Sequence, residues 1–599
     1  MRYLYYKIGE ILKKIRAPLL ATASWGAFFI SIASIIFVVY SIGFEQKEII
    51  QARLYDIYKL VIIFFFFLHL LRIMEGFLSR ESSAKKGWLS LLFLAASIFV
   101  AFDITIFGQS VNLPFYYNYR FVIAVILYVS IMEISGALVK ILSKSVHPNL
   151  IFVVSFLSII TIGTALLMFP NSTYNGIAFT DALFTATSAT CVTGLVSVPF
   201  SETFTLSGQL IVLFLIQTGG LGVITITTFF AVFFTQGFTV NSEYVIKDII
   251  SGNRSSKLRS LVTRIITVTF IMELAGAVLI YIYTAPHLQM EEWEKIYFSV
   301  FHSISAFCNA GFSTMPQNLA DPVLINIGPL YLIISVLIIF GGIGFPIFSN
   351  ILRISGHRIR QAYMYIRYGK FTRFVREWDM NSIIVLRTTA ILIVTGMTYL
   401  LLFEWNGILS QFSDEDKIIQ AFFNSVTPRT AGFNSVDTSA LKTVTLYMFL
   451  IFMWIGGAPQ STAGGIKVTT FALMIRNAAQ LVRGSDRVEF HGREISALSV
   501  TRAFAAVVFS IITIVTTHII LVKINPDIEP LKLFFEVVSA IGTVGLSMGV
   551  TEELLQAGKI VITFLMFAGR VGIITLLSSF IRSHTQNRYR YPGADILIN

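Results

Sequence analysis

The sequence predicts an all-α integral membrane protein, on three observations. Hydrophobic residues make up 55% of the 599-residue chain and charged residues 13%, where soluble domains carry roughly 25% charge. Apolar stretches of the ~20 residues needed to cross a hydrocarbon core recur along the chain, and twelve can be counted. From about Pro148 onward one pattern, marked by Gly194, Gly311, Gly432 and Gly545, returns four times. The net charge of +12 is spread over many short loops, which fits loops facing anionic lipid and argues against a nucleic-acid-binding domain. Two cysteines, Cys191 and Cys308, provide no disulfide framework.

The chain begins with M-R-Y-L-Y-Y-K-I-G-E-I-L-K-K-I-R. This is basic and amphipathic, without the apolar core and small-residue cleavage site of a signal peptide, so a cytoplasmic N-terminus is expected. Four spans follow, at about Trp25–Phe44, Asp56–Phe77, Trp88–Phe107 and Tyr119–Ile141, and form an N-terminal block of four transmembrane helices, residues 1–147. Arg72, Asp103 and Arg120 lie in or near them. A voltage sensor needs several regularly spaced arginines on one helix, because each charge moved supplies only ~2.3 kcal/mol per 100 mV. The fourth span has one arginine, which leaves packing, lipid contact or assembly as the role of the block.

Residues 148–599 divide into repeats at about 148–250, 251–376, 377–495 and 496–599. Each repeat has a long apolar segment, a short amphipathic one, a glycine-containing strand and a second long apolar segment. The strand glycines are 117, 121 and 113 residues apart, and glycine clusters beginning at Gly219, Gly341, Gly456 and Gly569 follow them by 25, 30, 24 and 24 residues. Two markers in phase four times argue for duplication of one unit. The first long segments are about Asn149–Phe169, Leu261–Thr284, Ile383–Phe403 and Ala503–Val522; the second are about Leu206–Phe234, Val323–Ile351, Val444–Val482 and Lys559–Ile581. The short segments, near Phe179–Thr190, Trp293–Phe307, Lys417–Val426 and Leu531–Ile541, cannot span and fit re-entrant helices. Irregular backbone at membrane depth survives only inside protein or beside water, so these hairpins should surround a cavity. The expectation is four tandem helix–pore loop–helix repeats in a pseudo-fourfold arrangement, preceded by the four extra helices. Basic residues crowd the loop Arg353–Arg376, the stretches after the first and third repeats, and the tail, so both termini and the inter-repeat loops should be cytoplasmic.

Aligned on their glycines, the strands read Cys191-Val192-Thr193-Gly194-Leu195, Cys308-Asn309-Ala310-Gly311-Phe312, Arg429-Thr430-Ala431-Gly432-Phe433 and Gly542-Thr543-Val544-Gly545-Leu546. The last is close to the T-V-G-Y-G strand whose carbonyls replace the hydration shell of potassium. Arranged around one axis, the four would stack rings of main-chain oxygen. They contain no carboxylate, so a divalent-selective acidic ring is not expected, and the C-terminal ends of the short helices would favour a cation. At these residues, with the flanks T-A-T-S-A-T-C-V-T-G-L, S-A-F-C-N-A-G-F-S-T-M, N-S-V-T-P-R-T-A-G-F-N-S and F-E-V-V-S-A-I-G-T-V-G-L-S, the chain resembles the Trk/Ktr/HKT superfamily of potassium transporters, and looks closest to the TrkH and KtrB pore subunits.

The resemblance covers about residues 148–582. It implies potassium uptake through a filter of Cys191, Val192, Thr193, Gly194, Cys308, Asn309, Ala310, Gly311, Thr430, Ala431, Gly432, Thr543, Val544 and Gly545. Family members with serine at the Gly194 position tend toward sodium, so the glycine here favours potassium; many members have threonine where Cys191 stands, and Na+ is the alternative cargo or coupling ion. The resemblance further implies a homodimer in a bacterial inner membrane, with cytosolic RCK-type nucleotide-binding regulatory subunits. This chain itself has no G-x-G-x-x-G signature, and no bound organic cofactor is expected.

Ile455–Lys467, I-G-G-A-P-Q-S-T-A-G-G-I-K, cannot continue a regular helix. It is either a structural kink or a mobile constriction; the resemblance implies an intramembrane gate of Gly456, Gly457, Pro459, Ser461, Thr462, Gly464, Gly465 and Lys467. Arg570 falls near the middle of the last span, a costly placement that marks function, and the resemblance sets it facing the gate. Glu273 reads as a paired structural carboxylate before a proton relay, Glu536 as an anchor for its short helix, Arg429 as a brace, and His302 as a packed side chain. A symporter for an organic solute would show two inverted repeats, where this chain has four parallel ones. An enzyme would need clustered catalytic groups; H-E-x-x-H does not occur, and the spans hold no acidic cluster.

Overall fold

Apolar length and glycine placement decide the helices in the computed structural model of the chain. It describes residues 26–41, 43–44, 48–78, parts of 122–133, 148–222, 258–369, 378–485, 487–490 and 492–580. Helices α1 (Gly26–Ser41) and α2 (Glu48–Leu78) match the first two expected spans. They pack through Val38, Tyr58, Ile62 and Phe65 against residues of 122–129. The third span, Trp88–Phe107, and most of the fourth lie outside the described residues.

The remainder runs through one element order four times: α3 (Pro148–Leu167), α4 (Phe179–Thr190), α5 (Leu206–Leu221); α6 (Leu258–Thr284), α7 (Glu292–Cys308), α8 (Gly328–Ile343), with α9 (Phe345–Tyr368) after it; α10 (Met380–Glu404), α11 (Asp414–Val426), α12 (Thr443–Trp454), then α13 (Val468–Val482); and α14 (Ala497–Ile524), α15 (Pro530–Gly542), α16 (Gln556–Val571), then α17 (Ile573–Phe580). Among the described residues α6, α10 and α14 are long and apolar enough to cross a membrane, and five segments qualify when bent pairs count as one. Three of the four short helices start where a side chain or proline suits the first turn: a capping box of Glu291 and Glu294 for α7, Ser413 for α11, and Pro530 for α15.

Two expectations need correction. The second long segments Val323–Ile351 and Lys559–Ile581 are not continuous helices: α8 turns into α9 by 103° and α16 into α17 by 92°. The hinges are Gly344 (φ 92°) and Gly572 (φ 86°), conformations that an L side chain resists, and α5 ends at Gly222 with φ 79° in the same way. Val444–Val482 breaks over Ile455–Lys467, as its proline and glycines require. The glycine-containing stretches are irregular loops and not strands. The β ladder among the described residues is Glu489–Phe490 with Arg493–Glu494, in the linker between α13 and α14.

Buried side chains form three apolar clusters around the short helices, with Phe184, Phe423, Phe449 and Phe535 at most 1% exposed. The loops that follow the four short helices come together in contact with one another.

Candidate functional site

Each short helix ends in the same backbone turn. The residue two before the marker glycine is left-handed in all four units: Val192 (φ 56°), Asn309 (φ 60°), Thr430 (φ 70°) and Thr543 (φ 49°). The glycines follow at φ 90°, 70°, 75° and 95°. In three units the N–H between these two residues turns back onto the short helix: Thr193 to Ser188 O at 2.8 Å, Ala310 to Ser305 O at 2.7 Å, and Val544 to Ser539 O at 2.9 Å. The third unit, with Pro428 in its turn, bonds Ala431 N to Thr427 O at 3.0 Å. Hydroxyls finish each loop: Ser188 and Ser539 accept from Gly194 N and Gly545 N, while Ser305 and Thr427 donate to Phe312 O and Phe433 O.

The four glycines meet. A Cβ added at Gly194 would collide with Ala310 O and Gly311; at Gly311 with Ala431 O and Gly432; at Gly432 with Val544 O and Gly545; and at Gly545 with Thr193 O and Gly194. The sequence of contacts closes on itself, so the loops form a ring in chain order. No backbone N–H of the described residues donates to the carbonyl oxygens of Thr193, Ala310, Ala431 or Val544, although all four residues are fully buried. Buried carbonyls are nearly always paired; a ring of unpaired ones is built to receive a partner from outside the chain. The second glycine marker has a packing cause: Gly219, Gly341 and Gly569 each abut the carbonyl four residues before the marker glycine, at Thr190, Phe307 and Ile541.

The segment Ile455–Lys467 lies against this ring. Gly464 packs on the Thr543 side chain, and the Asn309 carboxamide lies 3.3 Å from Thr462 Oγ1 and accepts from Thr430 Oγ1 at 3.3 Å in the orientation that satisfies both its ends. Gly341 O and Gly342 O accept from Thr462 N at 3.3 Å and Ala458 N at 2.9 Å. Arg570 donates to Thr462 O and to Gly219 O, tying the loop to the first unit, and Lys467 Nζ donates to Ala463 O at 2.7 Å. Gly456, Gly457 and Gly465 are buried or half-buried in the loop, while Pro459 and Ser461 sit at its more open end.

Of the weaker candidates, Glu273 accepts from Gln217 Nε2 at 3.1 Å, His302 is fully buried, and Arg429 reaches the outer helix at Thr389 Oγ1, 3.5 Å, rather than its own loop. Sequence reasoning missed the pair Lys559–Asp181 (2.8 Å, side chains 11% and 16% exposed), which joins the fourth unit to the first. Nothing short of aligned units would have signalled a contact across 378 residues.

The profile of the TrkH family, described as cation transport protein, matches residues 118–590. The chain is 33% identical over 466 residues to the potassium/sodium uptake protein NtpJ of Enterococcus hirae, covering 76% of this chain and 98% of that one. It is 33% identical over 456 residues to the Ktr system potassium uptake protein B of Bacillus subtilis, covering 75% and 96%. In fold it is similar to the potassium transporter TrkH of Vibrio parahaemolyticus, with a TM-score of 0.57 at 18% identity over 88% of this chain and 97% of that chain. The chain belongs to the TrkH family of cation transport proteins.

Proposed function

We propose that this protein takes up potassium across a bacterial cytoplasmic membrane through a single-chain filter made by the four glycine loops. The observation that carries the reading is the closed ring of buried, unpaired carbonyls at Thr193, Ala310, Ala431 and Val544. Main-chain oxygens of this kind replace the water of a monovalent ion, and potassium gives up its water more readily than sodium. On this reading the repeats stand around one pseudo-fourfold axis behind the N-terminal helices, α4, α7, α11 and α15 are re-entrant pore helices, and both termini are cytoplasmic. The domain division at 147/148 and the four repeat boundaries belong to the same reading. Ile455–Lys467, held by Arg570, is the gate below the filter. The names of the Ktr system relatives support a multicomponent assembly, here a homodimer with cytosolic RCK-type nucleotide-binding subunits. The chemistry is translocation, with no bond made or broken.

The test is Rb+ uptake in cells deprived of their own potassium uptake, with K+ or Na+ as competitor. K+ should compete and Na+ should not at equal concentration; equal competition would move the chain to the sodium-permeable class, and no uptake would remove the reading.

A further inference from the structure

We propose that pore-helix side chains strap the filter loops from behind, and that Glu536 is the strongest of these positioning residues. The inference rests on the filter reading above and adds residues to it. In three units a buried side chain on the short helix bonds a serine eleven residues ahead, across the marker glycine: His302 Nε2 with Ser313 Oγ at 2.8 Å, Asn424 Nδ2 with Ser435 Oγ at 2.8 Å, and Glu536 with Ser547 Oγ. The chemistry differs at each. His302 Nδ1 donates to Phe298 O at 2.8 Å, so Nε2 accepts from Ser313. Asn424 donates. Glu536 accepts from both Ser547 and Thr551 Oγ1, the latter at 3.1 Å. In the second and fourth units the same serine hydroxyl accepts from the N–H two residues on, Met315 and Gly549, each at 3.0 Å, so the strap also fixes the turn beyond the filter. Among the described residues the first unit has none. Eleven residues after Thr185 stands Val196, and Thr185 Oγ1 is buried without a partner.

Three loops are therefore strapped and one is not, and Glu536, which bonds two hydroxyls where His302 and Asn424 each bond one, holds its loop hardest. A loosened loop lets its carbonyls draw in around a smaller ion, so the strap sets selectivity and not only folding. Glu536→Ala, at matched membrane abundance, should lower the preference for K+ over Na+ in Rb+ competition by about tenfold, the effect of losing its two hydroxyl bonds. Glu536→Gln keeps an acceptor oxygen and should retain most of the preference. Adding Ser547→Ala to Glu536→Ala should change little further, and Thr185→Ala should leave selectivity as it was. Amide hydrogen exchange reads the strap apart from transport: residues 543–551 should exchange faster in Glu536→Ala, with 191–197 unchanged. Where Glu536→Ala does not accumulate, Ser547→Ala carries the same readouts, and Asn424→Ala carries them with the faster exchange at the third loop around Ser435. Unchanged selectivity, or unchanged exchange at 543–551, overturns the strap; faster exchange in a protein whose wild type takes up no Rb+ overturns the transport reading and leaves the strap standing.

Discussion

Gly432→Ala should destroy discrimination between K+ and Na+, lowering the preference by at least about tenfold in Rb+ competition. Two costs act together. Gly432 has φ 75°, where a Cβ costs about 1–2 kcal/mol. The added methyl would also strike Val544 O and the Gly545 Cα of the next unit, and a difference of only about 1.4 kcal/mol between the two ions at the displaced oxygen is that tenfold loss. The ring can relieve the collision only by moving Val544 O, one of its four oxygens. Gly176→Ala is the control. Gly176 has φ 77° with nothing within 4 Å of its added Cβ, so it carries the backbone strain without the collision and should keep wild-type selectivity.

Arg570→Gln should raise Rb+ uptake under conditions that hold the wild type shut, by about tenfold. The guanidinium makes charge-assisted bonds to Thr462 O in the gate and Gly219 O in the first unit, each worth about 1.5–3 kcal/mol. If Ile455–Lys467 is the gate, as proposed, removing the guanidinium releases the loop and also takes a fixed positive charge from the ion's path, and both changes act in one direction. Arg570→Lys separates them. It keeps the charge but cannot span two carbonyls with a planar fork, so its flux should lie between the other two. If Arg570→Gln passes no more Rb+ than the wild type at equal abundance, the latch is not what closes the path.

The marker glycines were legible because duplication preserves spacing, and Gly194, Gly311, Gly432 and Gly545 are needed at one backbone angle in every copy. The left-handed residues before them were not. Val192 is β-branched and a poor candidate for φ 56° on propensity; the turn is imposed by the bond from Thr193 N to Ser188 O and by burial. The hinges at Gly344 and Gly572 were present in the sequence as G-F-P and R-V-G-I, yet hydropathy runs through them unbroken, because apolarity measures side chains while the bend is a property of the backbone. Glu536 was visible as an anchor. Its partner was not, since Ser547 becomes meaningful only beside Ser313 and Ser435 at the same offset of eleven. The contact of Lys559 with Asp181 lies beyond any local pattern.

The central claim is that one monovalent ion sits among Thr193 O, Ala310 O, Ala431 O and Val544 O. Anomalous scattering from crystals of the protein grown in Rb+ tests it directly. The account predicts a peak on the axis of the four glycines, within coordination distance of those oxygens, that disappears when Na+ replaces Rb+. Four loops with no anomalous density between them, or a peak held by side-chain carboxylates elsewhere, would contradict it.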